Sequence, residues 1–186
     1  MCDQVNVETQ GLRLGRRQTM AAIAMTFGGM IWTPGRAQAE TGEEISHAAE
    51  AIHQETVFKA SRNRVYEVLT DTQKFDRLTE VSGSKNSALG TEPTKISSEV
   101  GGAFVLFGGH IVGRQVELTP NGRIVQAWRV VDWEPGIYSI ARFELAEEGS
   151  GTRIVFDHTG FPKGLGAHLA AGWRSHYWEP LAKLLT

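Results

Sequence analysis

The sequence predicts an α+β fold in which a curved antiparallel sheet of about seven strands wraps on a long C-terminal helix, with two short helices near its start. Three observations support this prediction. Residues 95–159 form short β-rich runs separated by turn residues, and two helical stretches precede them. Residues 164–185 carry apolar side chains at steps of three and four, the spacing of one helix face.

Residues 1–39 are predicted to be a cleavable export signal. A basic stretch that includes Arg16 and Arg17 precedes an uncharged apolar run over residues 20–32, and residues 37–39 (Ala-Gln-Ala) suit a signal peptidase. The apolar run is short for a hydrocarbon core of about 30 Å, which disfavours a permanent membrane anchor. A buried helix is the alternative, and the tripartite order disfavours it. We therefore expect no stable membrane anchor after cleavage.

The arginine pair also predicts the export route. Arg16 and Arg17 beside a modest, glycine-containing apolar run resemble a twin-arginine signal, whose cargo crosses the membrane already folded. Arg36, close to the cleavage site, disfavours the alternative Sec route. The resemblance implies a periplasmic or secreted protein.

Composition limits the partners and the domain count expected for the residues that follow the predicted signal. Residues 1–39 contain four of the 19 basic and two of the 21 acidic residues, so the 147 residues that follow carry 15 and 19. This mild negative balance disfavours nucleic acid as a partner, because affinity for phosphates comes from clustered cations. The only cysteine, Cys2, lies within the predicted signal. Residues 40–51 are polar and small and predict a flexible leader into one domain over residues 52–186.

The domain is predicted to begin with a strand over residues 52–59 and two short helices. Ser61 is a suitable N-cap for the first helix, and Val65 and Leu69 are placed to lie against a sheet. A second short helix is expected around Phe75.

Six strands are predicted between residues 95 and 159, because five turn signals divide this segment. Alternation within the strands predicts one buried and one wet face, which is typical of an antiparallel meander. In residues 124–131 one face carries Ile124, Gln126, Trp128 and Val130, and in residues 152–159 one face carries Ile154, Phe156 and His158.

The last predicted element is a helix over residues 164–185. Its apolar stripe includes Leu169, Trp173 and Tyr177, and it is the only element large enough to cover the sheet. Pro180 removes one backbone hydrogen bond from the helix, so we expect a kink near Trp178.

The order of these elements resembles the helix-grip fold of the SRPBCC superfamily, which includes START-like lipid-transfer domains and polyketide cyclases. Several motifs more narrowly resemble the C-terminal domain of activators of heat-shock protein 90 ATPase. They are Gly101-Gly102-x-Phe104, GHIVG over residues 109–113, Leu118-x-Pro120, IVQAWR over residues 124–129, Trp133-x-x-Gly136 and Gly172-Trp173-x-x-His176-Tyr177.

The resemblance implies a cavity between the sheet and the long helix that holds a small apolar molecule. A curved sheet that touches a helix at its two ends independently predicts a gap there. We expect large apolar walls and a few polar orienting groups in that gap. The candidate ligand-binding residues are Phe104, Leu106, Ile111, Gln126, Trp128, Phe143, Phe156, His158, Leu169, Trp173 and His176. For each aromatic residue the alternative is ordinary core packing.

No metal, cofactor or catalytic residue is predicted. His168 and His176 are eight residues apart, about 12 Å along a helix, and cannot chelate one ion together. A site built from the distant His110, His158 and His176 stays open, although no carboxylate or thiolate stands at ligand spacing.

Three functions are compatible with these residues. The first is a binding or carrier domain for an apolar ligand. The second is a cyclase, dehydratase or lyase that uses the same cavity, with His158, His176, Tyr177 or Glu144 as acid or base. The third is a protein-interaction module related to the heat-shock protein 90 ATPase activators. The sequence does not specify the ligand or the oligomeric state.

Overall fold

The computed structural model describes residues 50–84 and 90–186, and it contains one seven-stranded antiparallel sheet in these ranges. The predicted export signal over residues 1–39 lies outside the described residues, as does the predicted leader up to residue 49. In the part of the chain that is described, no helix is long and apolar enough to cross a bilayer.

The elements follow the predicted order. Strand β1 and helices α1 and α2 come first, six strands follow, and a helical segment ends the chain. Their bounds are β1 Ala51–Phe58, α1 Arg62–Thr70, α2 Thr72–Val81, β2 Lys95–Ile96, β3 Ala103–Leu106, β4 Ile111–Thr119, β5 Arg123–Val130, β6 Ser139–Glu148, β7 Gly151–Thr159, α3 Gly166–Trp173, a π-helical turn Arg174–Trp178 and α4 Glu179–Leu184.

The sheet has the strand order β1-β7-β6-β5-β4-β3-β2. Neighbouring strands are therefore consecutive in the chain, with the exception of β1 and β7. The two predicted strand faces are confirmed. Ile124 and Trp128 of β5 are buried, as are Ile154, Phe156 and His158 of β7. A bulge in β4 shifts the register between Gln115 and Glu117.

Both short helices begin at a side-chain cap. The Ser61 hydroxyl accepts a hydrogen bond from the Arg64 N–H at 3.4 Å, and the Asp71 carboxylate accepts one from the Lys74 N–H at 2.9 Å. Each cap satisfies a backbone donor that the first helical turn leaves without a partner. Val65 and Leu69 of α1 are buried, as the sequence predicts, and so is Phe75 of α2.

The predicted C-terminal helix is present but is not α-helical throughout. The π turn Arg174–Trp178 separates α3 from α4 and ends two residues before Pro180, at the position of the predicted kink. A π turn contains one extra residue, so consecutive side chains are rotated relative to a regular helix. Trp173, Tyr177 and Trp178 are consequently all buried against the sheet.

Glu50 fixes the start of the C-terminal helix to the start of the sheet. Its carboxylate accepts hydrogen bonds from the backbone N–H groups of Gly164 at 2.7 Å and Gly166 at 2.9 Å. These bonds lower the pKa of Glu50. The last residues of the predicted leader are therefore part of the folded domain.

Aromatic side chains fill the centre of the space between sheet and helix. The ring centroids of Phe156 and Trp173 are 4.3 Å apart, and those of Phe143 and Phe156 are 4.9 Å apart. Trp178 packs on Phe156 from the helix side, with centroids 5.2 Å apart. The predicted gap between the sheet and the helix is therefore filled at its centre, because these rings are large enough to meet.

Candidate functional site

A cavity of about 210 Å³ lies between one end of the C-terminal helix and the neighbouring ends of β4 and β5. Its wall is mostly aromatic and aliphatic. The lining residues are Phe107, His110, Ile111, Trp128, Val130, His168, Leu169, Gly172, Trp173, His176 and Tyr177. We call this space the helix cavity.

Five of the eleven candidate ligand-binding residues line the helix cavity: Ile111, Trp128, Leu169, Trp173 and His176. The other six are buried elsewhere and do not line it. They are Phe104, Leu106, Gln126, Phe143, Phe156 and His158.

The four apolar candidates that do not line the cavity belong to the packed core. Phe143 and Phe156 pack on each other under Trp173, as described above. Phe104 lies over Gly113 of β4, so closely that a Cβ atom at residue 113 would collide with its ring. Leu106 precedes the turn that leads to the cavity and is also buried. These residues support the cavity wall from behind.

Gln126 is occupied by another side chain of the sheet. Its Nε2 donates to Oε1 of Gln115 at 3.3 Å, and Nε2 of Gln115 donates to the Ser97 carbonyl at 3.3 Å. Both glutamines are buried on neighbouring strands. This pairing satisfies polar groups within the sheet, so Gln126 does not orient a ligand in the cavity.

His158 is the centre of a buried hydrogen-bond chain behind the cavity. The Trp173 indole N–H donates to Nδ1 of His158 at 2.9 Å, so Nδ1 is an acceptor and the ring proton is on Nε2. Nε2–H then donates to the Ser139 hydroxyl at 2.7 Å, and that hydroxyl donates to the Trp128 carbonyl at 2.8 Å. His158 thereby fixes two cavity residues, one on the helix and one on the sheet.

The same burial keeps His158 neutral. The side chain is fully buried, and desolvation lowers its pKa from 6.5 to about 3. Because both ring nitrogens are engaged and the cationic form is disfavoured, His158 is a positioning residue. This arrangement argues against the acid or base role considered for it from the sequence.

Glu144 and Asp157 lie on the opposite face of the sheet. The Glu144 carboxylate accepts from Nε of Arg123 at 2.7 Å, and Asp157 contacts Arg142 and His53, each at 2.7 Å. These ion pairs hold the pKa of Asp157 below its usual value. Glu144 therefore cannot act on a molecule in the helix cavity, as one enzymatic alternative would require.

Six lining residues lie outside the candidate set: Phe107, His110, Val130, His168, Gly172 and Tyr177. One sequence signal could have found two of them on the helix. His168 and Gly172 stand with the predicted His176 at steps of four, which places the three in one row on one helix face. The middle residue of that row has no side chain.

The missing side chain at Gly172 leaves space at the cavity. A Cβ atom built at this residue would have no heavy atom within 4 Å apart from its immediate chain neighbours and its own helix backbone. Gly172 also has ordinary helical backbone, since its φ is not positive. Glycine in a helix interior costs about 1 kcal/mol relative to alanine, and here the backbone does not require it.

The β3–β4 connection forms another part of the cavity wall, and its backbone is strained at Phe107. Phe107 has φ 52°, and Gly108 and Gly109 follow with φ 69° and 96°. A non-glycine residue in the left-handed region costs roughly 1–2 kcal/mol. The conformation turns the buried Phe107 ring toward the helix, where it meets Tyr177 edge-on with centroids 5.4 Å apart.

Two buried polar atoms of the cavity residues have no hydrogen-bond partner among the described residues. They are Nε1 of Trp128 and the hydroxyl oxygen of Tyr177. Burial raises the pKa of the Tyr177 hydroxyl, and a hydrogen-bonding contact with the Trp128 side chain acts in the opposite direction. The two groups are therefore close to each other, and both atoms are buried away from the accessible space of the cavity.

Three histidines also border the cavity. Burial lowers the pKa of His176, and the positive charges that His110 and His168 can carry act in the same direction. Nδ1 of His176 is 2.9 Å from the Ser84 hydroxyl. In residues 50–84 and 90–186 no cluster of histidine, cysteine, aspartate or glutamate side chains could hold a metal ion.

Comparison with known proteins agrees with this fold. A family model described as Activator of Hsp90 ATPase homolog 1-like protein matches residues 59–186. Activator of 90 kDa heat shock protein ATPase homolog 2 from Mus musculus is 25% identical over 138 residues, which are 73% of this chain and 38% of that protein. The chain therefore spans little more than a third of the length of this relative.

Two solved structures show the same architecture. An HSP90 activator from Plasmodium falciparum has a TM-score of 0.61 and 23% identity, over 74% of this chain and 96% of that one. CalU16 from Micromonospora echinospora has a TM-score of 0.59 and 21% identity, over 74% of this chain and 77% of that one. These similarities confirm the predicted fold.

Proposed function

The chain belongs to the family of Activator of Hsp90 ATPase homolog 1-like proteins, and on that premise we propose that it is a binding or carrier domain for a small hydrophobic molecule. The observation that carries this proposal is the helix cavity. Its wall combines aromatic and aliphatic residues of the sheet and the helix, with histidines at its border. Such concave, mostly apolar spaces with a few polar groups are typical of small-molecule sites.

The volume limits the size of the ligand. At about 210 Å³ the helix cavity is larger than an engineered apolar cavity of about 150 Å³ that binds benzene. It is smaller than the roughly 300–1,000 Å³ of sites that hold drug-sized ligands. A single ring with a short substituent fits this volume, whereas a long lipid chain does not fit without movement of the wall.

The mouse relative's name describes activation of the Hsp90 ATPase, and the matched region is only part of that protein, as it is of a Schizosaccharomyces pombe relative without such a name. The matched region is 38% of the mouse relative and 35% of the Schizosaccharomyces pombe relative. We keep ligand binding as the proposed function of this chain, because the helix cavity is a property of the matched domain itself.

We further propose that the protein acts outside the cytoplasm. The support is the sequence of residues 1–39, with the arginine pair, the apolar run and the Ala-Gln-Ala site in the order of a twin-arginine signal. A carrier in that compartment would meet its ligand after export.

Filling the cavity from Gly172 tests the proposed function. The probe is α-methylstyrene, a neutral ring with a short substituent and nine heavy atoms. At about −0.5 kcal/mol per heavy atom its Kd is on the order of 0.5 mM. We expect a titration followed by NMR to shift resonances of Leu169 and Trp173. In Gly172→Leu, whose side chain occupies the open space, we expect binding at least tenfold weaker.

Ala171→Leu is the matched control, because it adds a leucine to the neighbouring exposed position of α3. This variant should bind the probe as the unmodified protein does. No shift of cavity resonances in the unmodified protein, or equal affinity in Gly172→Leu, would contradict the proposal.

A further inference from the structure

We propose that the ligand of the helix cavity is a small apolar molecule with one carboxylate at the rim, and that protonation of His110, His168 and His176 strengthens its binding. This inference rests on the proposed function and names the chemical class that the cavity selects. Its basis is the set of residues at the open side of the cavity.

The rim of the cavity carries imidazole side chains from both layers. His110 directly precedes β4, and His168 and His176 lie on the C-terminal helical segment. His110 and His176 are half-buried and His168 is exposed, whereas Trp128 and Trp173 at the floor are buried. A molecule in the cavity therefore has apolar contacts at its inner end and imidazoles at its outer end. We call the three residues the rim histidines.

The rim histidines have ring nitrogens that the protein does not use. Within residues 50–84 and 90–186, the side chains of His110 and His168 make no hydrogen bond and no ion pair. His176 uses Nδ1, which is 2.9 Å from the Ser84 hydroxyl, and its Nε2 has no partner in the same ranges. Because the His176 ring lines the cavity and is only half-buried, a bound molecule can reach it.

The rim can carry positive charge without a counter-ion of its own. Burial and the charges of the other two rim histidines lower the pKa of His176. Glu92, whose side chain packs beside Gly109 in the β3–β4 connection, does not contribute to this shift. From the segment after α2, the uncharged Ser84 hydroxyl contacts the ring. Protonated rim histidines therefore repel one another, and an anion among them would remove that repulsion.

The charge of the lining selects a carboxylate. The lining residues contain no lysine, arginine, aspartate or glutamate. A phosphate dianion is typically bound by such permanent cations, and a cationic ligand would be repelled by protonated imidazoles. A carboxylate has one charge and two oxygens that accept hydrogen bonds from imidazolium N–H groups. At the partly exposed rim its charge also avoids the large cost of entering the apolar wall.

A matched pair of probes tests this inference. Benzoate and benzamide have the same shape and differ in charge, and both fit as a single ring with a short substituent. At pH 8.5 the rim histidines are neutral, so we expect similar affinities. At pH 5.5 we expect benzoate to bind about tenfold more tightly than at pH 8.5, because its hydrogen bonds become charge-assisted. Benzamide should bind equally at both pH values in calorimetric titrations.

His176→Asn removes one titrating ring and keeps a polar atom near the position of Nδ1, next to Ser84. We expect this variant to lose most of the acid enhancement for benzoate, while its affinity for benzamide stays the same. A purely structural histidine would instead weaken both probes alike at both pH values. The matched control is His53→Gln, which removes an exposed histidine of the outer sheet face and should retain the full enhancement.

A direct measurement covers the case in which the variant does not fold. In the unmodified protein, benzoate should raise the pKa values of the rim histidines followed by NMR, since an anion that binds the protonated form better must also favour protonation. Benzamide should leave them unchanged. Binding of α-methylstyrene together with benzoate binding that is absent or independent of pH would overturn the carboxylate inference and leave the proposed function standing. Failure of all three probes to bind would overturn both.

Discussion

Acidification should destabilise this protein through His158, and the size of the effect can be worked out from its surroundings. The pKa of His158 is 6.5 in the unfolded chain and about 3 in the folded protein, because burial disfavours the cation. Between these values the unfolded chain binds a proton that the folded protein does not bind, so stability falls as pH decreases. Above pH 6.5 this contribution is fully present and constant.

The expected slope is about 1.36 kcal/mol per pH unit. Between pH 6.5 and pH 5.0 the free energy of unfolding should therefore decrease by about 2 kcal/mol, and by pH 3 the loss is on the order of 5 kcal/mol. Most carboxylates titrate below pH 5, so the interval from pH 6.5 to pH 5.0 isolates the histidines.

Urea unfolding of the unmodified protein and of His158→Gln at pH 7.5 and pH 5.0 measures this effect. Glutamine can donate and accept but does not titrate, so the variant is expected to be less stable at pH 7.5 and to lose about 2 kcal/mol less on acidification. If both proteins show the same pH dependence, the neutral buried state assigned to His158 is wrong.

His53 provides a control of opposite sign. Its imidazole is exposed on the outer face, and hydrogen bonds to Asp157 and Glu55 raise its pKa. Its contribution to stability is present in acid and decreases as pH rises through that raised pKa. Relative to the unmodified protein, His53→Gln should consequently be less stable at pH 5.0 and should differ little in stability at pH 8.5.

For His158 itself, nitrogen NMR shifts should show an Nε2–H tautomer that does not titrate between pH 7.5 and pH 5.0.

Two further predictions concern packing and export. Gly113→Ala should destabilise the fold by roughly 2–4 kcal/mol in urea unfolding, because its Cβ would lie less than 3.0 Å from the Ala127 carbonyl and the Phe104 ring. Gly122→Ala, whose nearest neighbour is 3.5 Å away, should change stability much less, and equal losses would contradict this account. Replacing Arg16 and Arg17 with lysine should leave an uncleaved precursor inside the cell in an immunoblot of fractionated cells, and normal export of that variant would refute the twin-arginine assignment.

The fold could be predicted from the sequence because its signals are local. Alternation in residues 124–131 and 152–159 identifies the buried strand faces, and Ser61 identifies the start of α1 through its own side chain. Turn residues separate the strands at the places where the chain reverses. Each of these features needs only a few neighbouring residues, so one sequence is sufficient.

The helix cavity depends on distances between elements, which periodicity does not contain. The pattern correctly indicates that Phe156 and Trp173 face each other, but the two rings meet at 4.3 Å and leave no space. Alternation likewise places Gln126 and His158 on the inner face without showing that Gln115, Ser139 and Trp173 already bind them. The predicted set therefore mixed residues that surround the cavity with residues that fill the core.

The missed residues share a second reason. Gly172 acts through a side chain that it lacks, and a search for large apolar residues cannot find it. Tyr177 reaches the sheet together with Trp178 because of the π turn, and no local rule for Pro180 specifies such a turn. Phe107 lies in the β3–β4 connection, where the sequence indicates left-handed backbone only at the two glycines that follow. Its own left-handed conformation could therefore not be predicted.

Two energetic costs of this fold lie at the helix cavity, and their common location favours a binding site over a packing defect. Gly172 gives up about 1 kcal/mol relative to alanine, and Phe107 stores roughly 1–2 kcal/mol in its backbone. Alanine at residue 172 would remove part of this cost while keeping the same elements. An accidental void needs only apolar walls, whereas an open helix position and a strained turn at one place are features of a preorganised ligand site.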